Sequence, residues 1–282
     1  MICVDLHLHS TFSDGSMTPR ELVEHGKSRR VSVMSLTDHD TVEGLPSFMA
    51  ACKGHKIAGV PGIELSAEYE GTLHILGYRL DMRRLFGPSP KAELLSALED
   101  VRRGREARNE KMCDNLQDMG LEVSLEEVAM EAGGDVVGRP HMARVLVRKG
   151  YSRDMLEAFE RYLGAGAPAY EERYRLPPER CIELIGEAGG LAVLAHPALT
   201  TEDEGVLRAI LGRLREAGLW GMECVSPSSS PERVFQHMSI ASEFSLFPTA
   251  GSDFHGENRP SVSMGVTVEE GLLPWTRLGV SL

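Results

Sequence analysis

Short apolar segments alternate along the chain with longer amphipathic ones. Near the N-terminus, apolar residues at positions 4, 6 and 8 alternate with Asp5, His7 and His9, which is the two-residue period of a strand and puts both histidines on one face. Further apolar segments predict strands at residues 31–37, 57–64, 72–78, 191–195, 219–225 and 246–250. Continuous apolar runs of this kind are typical of parallel strands that helices cover on the outside.

Helix-start signals lie between the predicted strands. Thr18, Pro19 and Glu21 occupy the N-cap, N1 and N3 positions of a helix that extends to about residue 30. Another helix is expected after Thr41, and two more at residues 178–188 and 231–243. Alternation of strands and helices predicts the α/β class.

Residues 91–169 break this alternation, because strand signals vanish and helical periodicity takes over. The segment contains a long charged run at 91–119, a capping box at 124–127 and a proline near a helix start in Gly138-Arg139-Pro140-His141. We predict a barrel domain formed by residues 1–88 and 170–282. Residues 89–169 are predicted to form an inserted helical subdomain that acts as a substrate cap.

Composition narrows the range of partners and compartments. A formal net charge of −12 on 282 residues argues against long nucleic acid as a partner, since binding its backbone needs a basic surface. Five cysteines without a Cys-x-x-Cys motif fit a reducing cytoplasm better than a disulfide framework or a thiolate zinc site. No apolar run approaches the roughly 18 residues of a membrane span, and no signal peptide is evident, so we expect a cytoplasmic protein without a membrane partner. Nothing in the sequence indicates the oligomeric state.

Polar side chains cluster near the ends of the predicted strands. In a parallel α/β barrel the C-terminal strand ends meet on one face, so residues distant in sequence become neighbours there. Imidazole and carboxylate donors without thiolate are typical of zinc, manganese or iron sites. Six of the ten histidines belong to this set, whereas chance placement would scatter them over helices and loops. The candidate metal ligands are His7, His9, Asp14, His39, Glu64, His74, His196, Asp253 and His255.

Six motifs in this order carry a resemblance to a known family. They are His7-Leu8-His9, Thr37-Asp38-His39, Gly62-Ile63-Glu64, His74, Ala195-His196-Pro197 and Gly251-Ser252-Asp253-Phe254-His255. With them the whole chain resembles the polymerase and histidinol phosphatase (PHP) family, and its insertion resembles that of the TrpH-like metal-dependent phosphoesterases. The resemblance implies a distorted (β/α)7 barrel with a trinuclear metal centre. It assigns His7, His9, Glu64 and Asp253 to the first metal, Glu64, His74 and His196 to the second, and Asp14, His39 and His255 to the third.

A charge balance at this centre favours an anionic substrate. Three divalent ions carry six positive charges, whereas Asp14, Glu64 and Asp253 contribute only three negative ones, so the centre has a net positive charge. Coordination positions left open by the protein would admit water and substrate oxygens, and paired metals make hydroxide from a bridging water near neutral pH. These features predict hydrolysis of a phosphate ester by a metal-bridging hydroxide, with Glu64 and Asp253 as catalytic residues. Manganese is the expected ion, with iron or zinc as alternatives.

Residues of the insertion are predicted to contact the substrate. Arg139 and His141 lie beside a helix N-terminus, and we expect them to bind substrate and to take part in catalysis. Arg173 and Arg175 are further candidates for substrate binding.

Several other charged residues are expected to have supporting roles. Asp5, Asp38 and Asp40 are expected to orient the histidines without binding metal themselves. Three basic residues on the long helix are expected to form a solvated face: Arg105, Arg108 and Lys111.

The resemblance implies a reaction class and a range of small substrates. These are nucleoside bisphosphates, short 5′-phosphorylated oligonucleotides, and cyclic sugar phosphates such as phosphoribosyl 1,2-cyclic phosphate. The step Gly138-Arg139-Pro140-His141 departs from the threonine–histidine step of the nucleoside bisphosphatases. Two alternatives stay open: an amidohydrolase-like enzyme that cleaves C–N bonds, and a module that binds metal or nucleotide without catalysis.

Overall fold

The computed structural model describes residues 1–88, 92–132 and 137–281. Eight strands form one sheet with the order β7-β6-β5-β4-β3-β2-β1-β8. The strands are β1 Ile2–Leu8, β2 Val33–Leu36, β3 Ala58–Ser66, β4 His74–Tyr78, β5 Leu191–Leu194, β6 Gly221–Val225, β7 Phe247–Ala250 and β8 Val266–Val268.

The sheet curls into a nearly closed barrel. The chain that follows β7 returns to β1, where Asp253 N donates to His7 O at 3.0 Å and His9 N donates to Phe254 O at 3.0 Å. The strand β8 pairs antiparallel with the start of β1, where Ile2 lies opposite Val268. The predicted α/β barrel is confirmed, and all seven predicted strands are present. The three-residue strand β8 was not predicted, because so short a segment carries no measurable periodicity.

Strand β4 is antiparallel to both of its neighbours, β3 and β5, whereas the sequence predicted parallel strands. Because of this direction, the first residue of β4, His74, lies opposite Ser66 at the end of β3. Because β4 is antiparallel, its first residue, His74, lies at the end of the barrel where the neighbouring strands have their last residues.

Twelve α-helices are present among the described residues. They are α1 Pro19–Ser28, α2 Leu45–His55, α3 Met82–Phe86, α4 Glu93–Asp118, α5 Leu125–Ala132, α6 Arg139–Arg148, α7 Met155–Ala158, α8 Pro178–Glu187, α9 Pro197–Thr200, α10 Glu204–Glu216, α11 Pro231–Glu243 and α12 Trp275–Leu278. A π-helical turn at Phe159–Leu163 and a 3₁₀ turn at Gly256–Asn258 complete the set. None of the described helices is both long and apolar enough to cross a bilayer.

The predicted start of α1 is confirmed by its capping box. Thr18 Oγ1 accepts from Glu21 N at 3.3 Å, and Glu21 Oε2 accepts from Thr18 N at 2.8 Å.

The barrel interior is filled by branched and aromatic side chains of the strands, which fixes the strand ends around it. This core includes Val4, Leu6, Val33, Val60, Leu76, Tyr78 and Val193.

The chain divides into two compact units. The first comprises Met1–Ala97 and Leu176–Leu282 and contains the barrel, whereas the second comprises Leu98–Arg175. Within its described residues the second unit has helices and no strand, and its own apolar core includes Met112, Leu116 and Met142. The start of the long helix, predicted at Lys91, falls outside the described residues.

Candidate metal centre

Glu64 lies at the centre of the histidine cluster. Its side chain is fully buried near the end of β3, and its Oε2 faces three imidazoles. Oε2 lies 3.3 Å from His7 Nε2, 3.2 Å from His9 Nε2 and 3.0 Å from His39 Nδ1. The two-residue period of β1 explains why His7 and His9 face the same carboxylate.

The second oxygen of Glu64 faces a different pair of histidines. Oε1 lies 2.9 Å from His74 Nδ1 and 3.0 Å from His196 Nε2, and these two nitrogens are 3.1 Å apart. The Glu64 carboxylate therefore presents one oxygen to each of two imidazole groups. This is the geometry that a carboxylate bridging two metal ions requires.

A third group of donors surrounds Asp14. Its Oδ1 lies 3.2 Å from His255 Nε2 and 3.7 Å from His9 Nδ1, and its Oδ2 lies 3.9 Å from His39 Nε2. Asp253 Oδ1 lies 3.3 Å from His9 Nε2, which places Asp253 with the first group. The structure thus brings all nine predicted ligands together in one cluster at one end of the barrel.

Three subsets of these donors are compact enough to hold a metal ion. The donor atoms within each subset lie within 4.8 Å of one another. The subsets are His7, His9, Glu64 and Asp253; His9, Asp14, His39 and His255; and His39, Glu64 and His74. His9 and His39 therefore each belong to two groups, whereas the family resemblance assigned each of them to one metal.

The tautomers of two histidines suit metal binding. His7 Nδ1 donates to Glu223 Oε1 at 3.1 Å, and His255 Nδ1 donates to the carbonyl of Asp253 at 2.9 Å. In each ring Nε2 then faces the cluster, as in metal-binding histidines.

Several buried polar atoms of the cluster have no hydrogen-bond partner among the described residues. They are His7 Nε2, His9 Nε2, Asp14 Oδ1, His39 Nδ1, Glu64 Oε2 and His196 Nδ1. Buried polar atoms without partners are costly, and metal coordination would satisfy them. The residues present therefore fit a multinuclear metal centre.

The electrostatics of the cluster favour positive charge. Burial alone would raise the pKa of Glu64, but the surrounding histidines hold it well below its usual range. Burial would lower the pKa of His7, but the carboxylates around it raise that pKa well above its usual value. Burial prevails at His74 and lowers its pKa to about 4, so this imidazole is neutral at pH 7. Glu64 and His74 therefore have the protonation states that a cation needs, whereas at His7 a bound cation would replace the proton.

The three supporting aspartates hold the loops that carry the ligands. Asp5 accepts from Ser252 N at 2.9 Å and thereby fixes the segment before Asp253. Asp38 accepts from Ser10 N at 2.7 Å and from Ser13 Oγ at 2.6 Å.

The third of them, Asp40, accepts from Ser66 N at 3.0 Å at the end of β3. These contacts of the three aspartates are to backbone and serine groups of the loops, so the predicted role in orienting the histidines stays a prediction.

Glu223 is a residue of this centre that the sequence analysis missed. It lies in the middle of β6, is 3% exposed, and accepts from His7 Nδ1 through Oε1 and from His196 N through Oε2 at 2.8 Å. His196 has a φ of 24°, a conformation that is strained for a residue with a side chain. Glu223 therefore holds one candidate ligand by its ring and another by its backbone. A single acid inside the apolar segment 219–225 was the available signal.

Arg259 is a second residue that was missed. Its guanidinium pairs with Asp253 Oδ2, so this candidate ligand has a cation beside it. Arg259 lies in the loop after the 3₁₀ turn, where the sequence offers no periodic signal.

The predicted substrate contacts Arg139 and His141 lie in the second unit. The guanidinium carbon of Arg139 is 5.4 Å from the ring centroid of Tyr170, and its Nη1 donates to Leu163 O at 3.3 Å. His141 is buried, and its Nδ1 accepts from Gly138 N at 3.0 Å, so this ring caps its own helix.

The other two predicted substrate contacts, Arg173 and Arg175, belong to the same unit. Arg175 pairs with Glu172 at 3.3 Å, and the charges of both arginines act on Arg139. The roles of all four residues in substrate binding stay predictions.

The fold and this donor set together indicate a class, the barrel hydrolases that use metal ions. The chain belongs to the PHP-domain family, whose model matches residues 5–168. The resemblance drawn from the six motifs is thereby confirmed.

Individual relatives cover almost the whole chain. It is 31% identical to a 3′,5′-nucleoside bisphosphate phosphatase of Chromobacterium violaceum, over 95% of this chain and 92% of the relative. It is 34% identical to a 5′-3′ exoribonuclease of Haemophilus influenzae, over 89% of each chain. A solved structure of an amidohydrolase from Chromobacterium violaceum, with bound sulfate and no metal, is similar with a TM-score of 0.86 and 30% identity, covering 98% of this chain and 95% of that one.

Proposed function

We propose that the protein is a phosphoesterase that releases phosphate from a small phosphorylated substrate, with a nucleoside 3′,5′-bisphosphate or a short 5′-phosphorylated oligonucleotide as the first candidates. The observation that carries the proposal is the Glu64 carboxylate, each of whose oxygens faces a separate group of imidazoles. Relatives named as a bisphosphate phosphatase and an exoribonuclease support this range of substrates.

We further propose that the centre holds three divalent ions, with manganese as the first choice. His7, His9, Glu64 and Asp253 would hold one ion, Glu64, His74 and His196 a second, and Asp14, His39 and His255 a third. Ions held there would supply Lewis acidity and positive charge for the phosphoryl group. Elemental analysis of protein expressed with manganese and iron is expected to give close to three ions per chain. Protein that contains no metal and takes up none on reconstitution would contradict this part of the proposal.

The chain's own residues would bind and orient the phosphoryl group around those ions. Glu64 keeps the imidazoles of two groups at fixed positions, and Glu223 fixes His7 and His196. Arg259, beside Asp253, offers a guanidinium that matches phosphate geometry. Arg139 and His141 of the second unit are proposed to select the substrate, because no residue in the metal cluster distinguishes one leaving group from another.

A substrate screen tests the proposal. Manganese-loaded protein is assayed for phosphate release from nucleoside bisphosphates, for mononucleotide or phosphate release from short 5′-phosphorylated oligonucleotides, and for ring opening or phosphate release from cyclic sugar phosphates. Hydrolysis of amides is assayed in parallel. We expect phosphoester hydrolysis in at least one substrate group and none of the amide reactions. Amide hydrolysis alone would favour the amidohydrolase-like alternative, and metal binding without either activity would favour a binding module.

A further inference from the structure

A cavity of about 350 Å³ adjoins the metal centre within the first unit. Two candidate ligands, His196 and Asp253, line one end of it, so a molecule bound there lies next to the site of the proposed reaction. The rest of the lining includes serines of the turn at 226–230 and residues of helix α11. Small-molecule sites span roughly 300–1,000 Å³, so this cavity has room for a single sugar or nucleoside and not for a longer chain.

His237 of helix α11 lines this cavity with a ring that has no partner. The residue is 4% exposed, and its ring forms no hydrogen bond or ion pair with any described residue. Burial, followed by the charge of Arg233, lowers the pKa of His237, so the imidazole is neutral at pH 7. A neutral imidazole has one donor and one acceptor, and both are costly to leave unpaired when buried. The ring therefore favours a ligand that offers hydroxyl groups.

The remaining lining combines hydroxyl groups with apolar side chains. Ser226 Oγ lies 3.0 Å from Ser228 Oγ and 3.0 Å from Ser229 Oγ. These two contacts use only two of the three hydroxyl protons, so a donor and several lone pairs remain for a ligand. Leu199, which is 52% exposed, and the half-buried Val262 add apolar surface to the same cavity. A sugar presents both kinds of group, because its hydroxyls and its C–H faces alternate.

The charges of the lining disfavour a second phosphate. It contains two cations, Arg233 and Arg259, and three acids, Glu202, Glu223 and Asp253. Arg233 pairs with Glu202 at 3.5 Å, and Arg259 pairs with Asp253. Glu223 accepts hydrogen bonds from two candidate ligands. An anion in this cavity would meet more negative than positive charge, whereas an uncharged, hydroxylated group would not.

We propose that the cavity binds the second sugar of a phosphodiester, and that His237 and Ser229 contact its hydroxyl groups. A monoester has one organic group on phosphorus and a diester has two, so this site extends the range of substrates to diesters. The first nucleotide of either candidate substrate carries a further phosphate, whereas the second sugar of a 5′-phosphorylated dinucleotide carries none. Hydrolysis breaks one P–O bond, adds the hydroxyl of water to phosphorus and its proton to the leaving sugar oxygen, and keeps the other ester. The inference rests on the proposed function and deepens it.

The test compares a 5′-phosphorylated ribodinucleotide with a nucleoside 3′,5′-bisphosphate in the full-length, metal-loaded protein. The variants are His237→Leu and Ser229→Ala. Ser239→Ala is the control, because Ser239 is exposed on the same helix and does not line the cavity. We expect the ratio of kcat/KM for the dinucleotide to that for the bisphosphate to fall about tenfold or more in His237→Leu and about threefold in Ser229→Ala. The control should keep the wild-type ratio.

A second comparison tests the contact with hydroxyl groups. A site that hydrogen-bonds a substrate hydroxyl rejects the analogue that lacks it. Wild type is therefore expected to hydrolyse a dinucleotide whose second sugar lacks the 2′ and 3′ hydroxyls about tenfold less efficiently than the ribodinucleotide. His237→Leu should lose most of this preference. Equal kcat/KM for the two dinucleotides in wild type would rule out the proposed contact.

Binding of a dinucleotide with a phosphonate linkage, which is not hydrolysed, measures the site without turnover. Calorimetry is expected to give a Kd about tenfold higher for His237→Leu than for Ser239→Ala. The inference is overturned if this Kd or the ratio of kcat/KM stays within twofold of the control in His237→Leu, or in Ser229→Ala should the first variant not fold. An equal loss on both substrates leaves the ratio unchanged and would place the first nucleoside in the cavity instead.

Failure of the proposed function looks different from failure of this site. Wild type would then hydrolyse no phosphoester, whereas the binding measurement would still report on the cavity. Hydrolysis by wild type together with equal binding by the variants and the control would overturn only the site at His237.

Discussion

At the scale of single residues, one carboxylate determines the geometry of the metal centre. Glu64 contacts the ring nitrogens of five histidines through its two oxygens, and its side chain is fully buried. Such a carboxylate contributes negative charge to two groups of donors at once, so that its replacement affects both.

The first prediction follows from this sharing. Glu64→Gln removes the negative charge while keeping the shape of the side chain, so we expect metal content to fall and turnover to drop by about 10²-fold or more. Elemental analysis and phosphate release measure the two effects. Glu68→Gln is the matched control, since Glu68 is exposed just beyond β3. Full metal content and near wild-type turnover in Glu64→Gln would show that Glu64 does not bridge.

Glu223 allows a second prediction, because it accepts two hydrogen bonds from two candidate ligands. A glutamine there can accept only one of them, since its amide nitrogen is a donor and would face either His7 Nδ1–H or His196 N–H. We expect Glu223→Gln to lower metal affinity by about 10- to 100-fold. Metal titration of the stripped protein measures the change, with Glu216→Gln on the exposed side of α10 as control. Equal affinities in the two variants would rule out a positioning role for Glu223.

At the scale of elements, the direction of each strand decides which of its residues reach the metal centre. The sequence identified the nine residues that the structure brings together in the cluster, because histidines and acids recur next to apolar segments whose lengths fit strands. It did not reveal that β4 is antiparallel, since a short apolar run has the same pattern in either direction. It also missed the burial of Arg108, which depends on how α4 packs within the second unit. The arginines in the apolar stripe of that helix were the available signal.

Close contact between β1 and the end of β7 leads to a third prediction. A Cβ atom on Gly251 would lie 2.3 Å from His7 Cβ and 2.6 Å from Glu223 Oε1, distances that no relaxed structure permits. Gly251→Ala is therefore expected to push the barrel ends apart and to reduce both Tm and metal content. Gly186→Ala in α8 is the control, because nothing lies within 4 Å of its Cβ position and alanine favours a helix. If both substitutions leave Tm and metal content unchanged, the contact at Gly251 is not tight in solution.

Helix α6 carries the fourth prediction. Arg139→Ala is expected chiefly to raise KM for a doubly phosphorylated substrate, and His141→Ala chiefly to lower kcat, because a contact specific to the transition state affects turnover. His141 also caps its helix through Gly138 N, so its replacement should cost about 1 kcal/mol of stability as well. Steady-state kinetics on singly and doubly phosphorylated substrates separate the parameters, and Tm reports the lost cap. Changes below twofold in every parameter, with metal content intact, would mean that the two residues act only in folding.

At the scale of the whole molecule, an acidic chain contains one cluster of donors that suits cations. The net charge of −12 disfavours the approach of polyanions, whereas the donor cluster with bound cations would favour a single anion. This distribution suits a small phosphorylated substrate better than a long nucleic acid. Cations bound by the donor cluster would stabilise the folded barrel at this one place.

This stabilisation supports the last prediction, on removal of the ions. Six imidazole and carboxylate atoms of the buried cluster lack hydrogen-bond partners among the described residues, and ions would bind this arrangement only in the folded chain. Ligands that bind only the folded state stabilise it by about 4 kcal/mol at a thousand times their Kd. We therefore expect a chelator to lower Tm by at least about 5 °C and to abolish phosphate release, and manganese to restore both. Chelator already saturated with calcium is the control for effects of the chelator itself. In Glu64→Gln the shift should be smaller, because fewer ions remain to be removed. A Tm that is identical with and without chelator, in protein shown to have lost its metal, would mean that the cluster is stable as an ion-pair network of its own.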